Sequence, residues 1–132
     1  MRKILIIVTL SCLAALTVGY TLYNKKHRSV ENERAIELTA IDLFTAYETN
    51  ETEANTKYLD KTLAVSGVIS EITTNQDGNQ VIILGTDDPI FGIHCTLVEE
   101  NKNVIVGNAV TIKGICTGYL SDVVLTSGIL TE

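Results

Sequence analysis

The sequence predicts a mainly β protein: a five-stranded barrel preceded by two short helices and an N-terminal transmembrane helix. Runs rich in β-branched residues, bounded by glycine, asparagine, aspartate or proline, indicate the strands. These runs cover residues 62–73, 81–85, 90–97, 110–117 and 122–130. Roughly a hundred residues follow the N-terminal apolar segment, which is enough for a single core.

The fourth predicted strand changes phase at a glycine. Val110 and Ile112 alternate with polar neighbours until Gly114 interrupts the pattern, so that Ile115 continues the apolar face. Gly67 is predicted to act in the same way in the first strand. A glycine bulge at each position would bend a long strand enough to close a small barrel.

An apolar run over residues 4–23 follows Arg2 and Lys3 and precedes a basic segment. About twenty such residues are long enough to cross a bilayer, so the run predicts an uncleaved single-pass anchor. A cleaved signal peptide and a lipoprotein signal with Cys12 as the modified residue are the alternatives. The short N-terminal tail resembles the start of an export signal, which favours a single-pass membrane location with the folded domain outside the cytoplasm.

The chain therefore divides into an anchor with basic flanks, a tether and a barrel domain: residues 1–28, 29–38 and 39–132. Thr39 and Asp42 have the form of a helix N-terminal cap, and Asn50 can cap a second short helix. We expect the aromatic side chains of this helical segment to cover one end of the barrel: Phe44, Tyr47 and Tyr58. Residues 98–106 are short and polar and predict one helical turn.

Charge is distributed unevenly along the chain. Residues 1–34 carry six Lys or Arg against two Glu, whereas residues 35–132 carry four Lys against fourteen Asp or Glu. A domain this acidic repels a phosphate backbone at long range unless its few cations are clustered. The composition therefore disfavours nucleic acid as a partner.

Several segments of the barrel domain resemble a known family. They are residues 57–61 leading into Val65-Ser66-Gly67, residues 110–120 and residues 122–125. With these segments, the chain over about residues 38–130 is similar to the tRNA_anti-like family of OB-fold proteins, many of them bacterial and envelope-directed. The resemblance implies an OB-fold, a small and partly open Greek-key barrel. The family name records a fold relation to anticodon-binding domains and not a ligand.

An OB-fold that binds single-stranded nucleic acid presents aromatic and cationic side chains on its second and third strands and in nearby loops. The candidate binding residues are Phe91, Tyr119 and Asp122, with Tyr119 in the last turn as the best placed stacking ring. The alternative for Tyr119 is a ring packed across the barrel mouth. The second strand has neither an aromatic residue nor a cation, which again disfavours nucleic acid.

His94 and Cys95 are neighbours on a predicted strand, so their side chains point to opposite faces. We therefore predict no metal site, no catalytic pair and no cofactor. Cys95 and Cys116 have two alternatives. They either face one another and form a disulfide, if the domain lies outside the cytoplasm, or are two separate buried thiols.

These observations predict a membrane-anchored, non-catalytic binding or assembly module of the bacterial envelope. Its partners would be the lipid bilayer, through residues 4–23, and an envelope protein or small ligand. The alternative hypotheses are a single-stranded nucleic-acid-binding domain and an enzyme. Positive potential with exposed aromatic rings on the second and third strands would favour the first alternative, and a deep polar pocket with convergent titratable groups would favour the second.

Overall fold

The computed structural model describes residues 1–23 and 28–131 and is mainly β. In this part of the chain the elements are α1 (Arg2–Tyr23), β1 (Ile36–Thr39), α2 (Ala40–Thr49), α3 (Glu51–Tyr58), β2 (Thr62–Thr74), β3 (Gln80–Leu84), β4 (Ile93–Leu97), β5 (Ala109–Leu120) and β6 (Asp122–Thr131).

The strand β2 closes the barrel because it pairs along both of its edges. Its first half pairs antiparallel with β5, and its second half pairs antiparallel with β3. The order around the ring is β2, β3, β4, β6 and β5, and β1 adds in parallel beside the start of β2. The predicted five-stranded barrel is therefore confirmed, and its strand order is that of an OB-fold.

Inward-facing side chains of the barrel strands form one core. In β4, Ile93, Cys95 and Leu97 are buried, whereas His94 and Thr96 between them are partly exposed. This is the two-residue period of a strand with one face inside, and burying each large apolar side chain contributes about 1.5–3 kcal/mol. The other strands add Leu63, Val65, Ile69, Ile82, Leu84, Ile112, Cys116, Val123 and Leu125.

The helices α2 and α3 pack on this core, and both predicted caps are present. Thr39 Oγ1 accepts a hydrogen bond from the Asp42 N–H at 3.1 Å, and Asn50 Oδ1 accepts one from the Glu53 N–H at 3.2 Å. Each cap satisfies an N–H group that has no partner within its helix. The buried face of α2 contributes Leu43, Phe44 and Tyr47 to the core.

The predicted phase change at Gly114 is wrong. Ile112, Gly114 and Cys116 are buried at a two-residue period, so the inward face of β5 continues through the glycine. The pairing of β5 with β6 does shift register between Lys113 and Ile115, but the extra residue at this shift lies on β6. A Cβ atom on Gly114 would lie 3.0 Å from the Thr126 carbonyl oxygen. The glycine therefore allows β5 to approach β6 closely beside this irregularity.

The predicted phase change at Gly67 is wrong. The next residue, Val68, is 51% exposed, and the alternation of β2 continues through Gly67 to the buried Ile69. The pairing with β3 shifts only between Ile69 and Glu71. A Cβ atom on Gly67 would lie 3.0 Å from the Ala40 Cβ, so this glycine makes room for the start of α2 and does not form a bulge.

Residues 98–106 contain turns and bends, not the predicted helical turn. The side chain of Gln80 holds this loop at Asn101. Gln80 Oε1 accepts a hydrogen bond from the Asn101 N–H at 2.8 Å, and Gln80 Nε2 donates one to the Asn101 carbonyl at 3.1 Å. The amide side chain thus satisfies both backbone groups of Asn101 without a helix.

The segment predicted as a tether makes several contacts with the barrel. Val30 is 2% exposed, and the Lys113 ammonium donates a hydrogen bond to the Glu31 carbonyl at 3.1 Å. Arg28 forms two hydrogen bonds with the Glu33 carboxylate, at 2.6 and 2.7 Å. The Thr62 hydroxyl at the start of β2 also donates to this carboxylate. Residues 28–39 therefore lie against the domain.

The N-terminal residues form α1, whose described apolar side chains are largely exposed, with Ile4 at 67% and Leu16 at 71%. Crossing a bilayer requires about twenty consecutive, predominantly apolar residues. Among residues 1–23 and 28–131, no helix has the length and apolarity needed to span a membrane. The structure therefore does not support the transmembrane helix predicted over residues 4–23.

Replacing Gly92 by alanine is expected to destabilise the barrel by about 1–3 kcal/mol, because the new Cβ would overpack the site. That atom would lie 2.5 Å from the Leu84 carbonyl oxygen, so backbone must move. Gly85→Ala is the control, since its Cβ would meet Ser70 Cβ at 3.5 Å, and we expect a change within about 1 kcal/mol. Urea unfolding followed by circular dichroism measures both, and equal losses would contradict the packing argument.

The stabilisation from Glu33 is expected to disappear in acid. Its hydrogen bonds from Arg28 and Thr62 lower the pKa of the carboxyl from 4.5 to about 2. A lowered folded-state pKa gives stability that is present above the unfolded pKa and is lost as the pH falls through the folded pKa. The difference in melting temperature between the wild type and Glu33→Gln should therefore be largest near neutral pH and shrink between about pH 4.5 and pH 2.

Glu31→Gln is the matched control for this measurement, because Glu31 contacts Lys113 through its carbonyl and not its carboxylate. Added salt should also reduce the Glu33 effect, since the Arg28 and Glu33 side chains are 49% and 31% exposed. A difference that stays constant across the acid range would exclude the ion pair as its cause.

Candidate functional site

The outer face of β3 and β4 corresponds to the ligand face of an OB-fold. One row across this face contains Glu71 of β2, Ile83 of β3, His94 of β4 and Val124 of β6, as the strand pairing places them. The row therefore combines one acid, one histidine and two apolar residues. This composition differs from the stacked rings and lysines that hold a single strand of nucleic acid.

The structure brings two of the three predicted binding residues, Phe91 and Asp122, to the start of β4. Asp122 Oδ1 accepts a hydrogen bond from the Gly92 N–H at 2.8 Å and lies 3.5 Å from His94 Nε2. Phe91 is 37% exposed and donates its N–H to Asp88 Oδ1 at 2.8 Å. The Asp122 carboxylate therefore connects the beginning of β6 to the beginning of β4, and its role there is structural.

Tyr119 lies apart from these two residues. Its ring stacks on Tyr47 at a centroid distance of 5.4 Å and meets the edge of Phe44 at 6.2 Å. It is partly buried against the core. Leu120, the next residue and the last of β5, is 88% exposed instead. The tyrosine ring therefore packs between the barrel and α2, and the three predicted residues do not form one site.

The strand β6 lies between Cys95 and Cys116. Leu125 pairs with Cys95 on one side and with Cys116 on the other. Because neighbouring strands are about 4.8 Å apart, the two cysteine Cα atoms are separated by roughly 9–10 Å. A disulfide requires less than about 7 Å. The structure does not bring the predicted partners together, and both are free thiols.

Both thiols are also protected from reaction. Burial raises the pKa of the Cys95 and Cys116 thiols above their ordinary value. Cys116 Sγ lies 3.3 Å from the Tyr47 hydroxyl, and burial followed by this contact raises the pKa of Tyr47. All three groups therefore stay protonated at neutral pH, and a protonated thiol is a poor nucleophile.

An open groove of about 870 Å³ lies on the outside of the barrel, away from the residues predicted as a binding site. Its floor is a row of four hydroxyl side chains that four strands place side by side: Thr39, Ser66, Thr111 and Thr131. Ser66 Oγ and Thr111 Oγ1 are hydrogen-bonded at 2.9 Å. Ile41 and Val68, which are 43% and 51% exposed, add apolar surface.

The prediction from sequence missed this groove. Two outward positions of β2 carry small hydroxyl side chains, Ser66 after the buried Val65 and Ser70 after the buried Ile69. These small outward side chains were the signal in the sequence that could have indicated a groove. The pattern on β2 alone did not show which other strands would lie beside it.

The sequence profile of the tRNA_anti-like family matches residues 1–128, which is nearly the whole chain. The chain belongs to the tRNA_anti-like family. No curated protein sequence matches this tRNA_anti-like chain.

A crystal structure of a lipoprotein from Klebsiella pneumoniae subsp. pneumoniae, named as a candidate nucleic acid-binding protein, matches the tRNA_anti-like chain with a TM-score of 0.55. The match has 16% sequence identity and covers 73% of this chain and 92% of the other. At this identity the likeness shows a shared fold.

In the full-length tRNA_anti-like protein, Cys95 and Cys116 should resist iodoacetamide until the barrel unfolds, because both are fully buried. Intact-mass measurement should find all three cysteines labelled in denaturant without any reductant. A Cys12→Ser variant removes the exposed thiol of α1 and should show almost no labelling in the native state. Labelling in denaturant that appears only after reduction would show instead that the chain forms the disulfide.

Proposed function

We propose that this tRNA_anti-like protein is a non-catalytic binding module attached to the bacterial membrane, with its barrel outside the cytoplasm. The open groove on the outside of the barrel is the observation that carries this proposal. Its volume of about 870 Å³ lies within the range of about 300–1,000 Å³ that is typical of ligand sites. No lining residue is charged, so the groove suits an uncharged or apolar surface of a ligand.

The groove also has the mixture of surfaces that binding sites use. Apolar side chains supply area, and a small number of polar groups fix the orientation of a ligand. Here Ile41, Val68 and Val110 supply the apolar area, and the row of hydroxyls supplies the polar groups. The exposed fractions of Ile41 and Val68 mean that both side chains are free to lose water on binding.

Membrane attachment is supported by the surface of α1. The large apolar side chains that the structure describes between Ile4 and Tyr20 include nine that are more than half exposed. Such a surface is unfavourable in water and is covered in lipid or in an apolar partner. Basic residues precede and follow the apolar run over residues 4–23 in the sequence, as expected for a segment held at a membrane surface.

A binding role accounts for the titratable groups better than catalysis does. Asp122 is used to hold Gly92 and lies beside His94, and Asp88 caps the turn that carries Phe91. The thiols of Cys95 and Cys116 are buried and protonated. These side chains stabilise the barrel, and we assign none of them a role in a reaction.

Single-stranded nucleic acid is the second candidate ligand. It is supported by the fold and by the name of the Klebsiella lipoprotein, which describes a candidate nucleic acid-binding protein. Against it stand the fourteen acidic residues of residues 35–132 and the acid on the strand face, Glu71. Counterion release requires phosphate contacts with clustered cations.

Site-specific photocrosslinking in the cells that produce the protein tests the proposal. Benzoylphenylalanine in place of Val68, on the groove, should give a crosslinked adduct after irradiation, and the adduct should sediment with the membrane fraction. The same residue in place of Ile105 is the control, because Ile105 is 63% exposed but does not line the groove.

Digestion of the adduct separates the two candidates. Loss of the extra mass on treatment with nuclease would favour the nucleic-acid ligand. An adduct that resists nuclease would favour a ligand with an uncharged or apolar surface. A protein recovered in the soluble fraction, or equal crosslinking from both positions, would contradict the proposal.

A further inference from the structure

We infer that the groove binds an extended peptide segment with small apolar side chains and lysine or arginine at its ends. This inference rests on the proposed binding function and names its ligand class. Three properties of the groove support this inference: the small side chains of its floor, the hydrogen-bonding capacity of its hydroxyl row and the sign of the charges around it.

The floor is shallow because its side chains are small. The outward residues of β2 and β5 that line the groove include Ser66, Ser70, Ala109 and Thr111, and Gly85 lies at its side. None of these side chains extends far from the sheet, so the backbone of a ligand can approach the strands closely. No aromatic side chain lines the groove, and a sugar ring or a nucleobase would therefore have no ring to stack on.

The hydroxyl row matches the polar groups of a peptide backbone. A serine or threonine hydroxyl has one hydrogen to donate and two lone pairs to accept with. Ser66 and Thr111 use one bond between themselves, and Thr131 donates to the Thr111 carbonyl at 3.3 Å. Each oxygen keeps acceptor capacity for a peptide N–H. A neutral amide satisfies such groups without the desolvation cost of a charge.

The charges beside the groove are acidic. Asp87 follows the lining residue Thr86 in the sequence. Glu37 shares the outward face of β1 with Thr39. Lys113, two residues beyond Thr111 on β5, donates its ammonium to the Glu31 carbonyl.

Opposite charges across an interface speed association and fix orientation, whereas like charges disfavour it. A ligand with cationic ends therefore fits this surface. A phosphate backbone meets repulsion from the same carboxylates.

The test uses the full-length protein in detergent micelles and a fluorescein-labelled peptide of ten residues, with three Val-Thr pairs between two lysines at each end. Fluorescence anisotropy should show saturable binding. The same peptide with glutamates in place of the lysines should bind at least about tenfold more weakly at low salt, and added salt should narrow this difference.

Val68→Lys should weaken binding of the lysine peptide by about tenfold or more, because it removes apolar contact and adds a like charge. Ile105→Lys is the matched control and should leave binding unchanged. Since Val68 and Ile105 are both more than half exposed, neither change should prevent folding, and thermal melts of both variants check this. Asp87→Asn should give a smaller loss and a weaker salt dependence.

Equal binding of the two peptides, equal effects of the two lysine variants, or no binding of the lysine peptide would each overturn the peptide assignment. The crosslinking experiment keeps this result separate from the proposed function. If Val68 captures a ligand in cells while the lysine peptide does not bind, the binding role stands and the peptide class is wrong. If neither experiment detects binding, both fail.

Discussion

The antiparallel pairing of β2 with β5 closes the barrel, and most other features of the chain depend on that closure. A strand of thirteen residues can pair with β5 along one half and β3 along the other because its register with β3 shifts after Ile69. Closure brings backbones together at three glycines, where a Cβ atom would lie 2.5 to 3.0 Å from a carbonyl oxygen: Gly92, Gly114 and Gly128. The fold requires glycine at these three positions, since any larger residue would push the strands apart.

Closure also explains why the residues with the most reactive side chains are used in packing. The interior excludes water, so a polar group inside it must be paired or stay neutral. Tyr47 and Cys116 pair with one another, and burial keeps both protonated. Cys95 occupies the position of a small apolar residue opposite Leu125. The chemistry available to a ligand is therefore on the outside of the barrel.

The outside of the same strands has two unlike surfaces. The surface that OB-folds use for single strands carries Glu71 and His94, with the carboxylate of Asp122 engaged by backbone. The surface formed by β1, β2, β5 and β6 carries the hydroxyl row and the groove. The added strand β1 creates this second surface, because it supplies Thr39 and leads into α2, where Ile41 forms one wall. The parallel pairing of β1 thus creates the surface that carries the groove.

Local chemistry was sufficient to predict α2, α3 and the five strands of the barrel. Thr39 and Asn50 cap their helices through N–H groups three residues away, so the information lies within one turn of chain. The role of Gly67 was predicted wrongly because the glycine makes room for Ala40 of α2. No local sequence pattern connects Ala40 to β2. The same limit applies to the groove, whose hydroxyls come from four strands far apart in sequence. Each of those residues is an ordinary polar position on its own strand, and they become neighbours because barrel closure selects one register for all four.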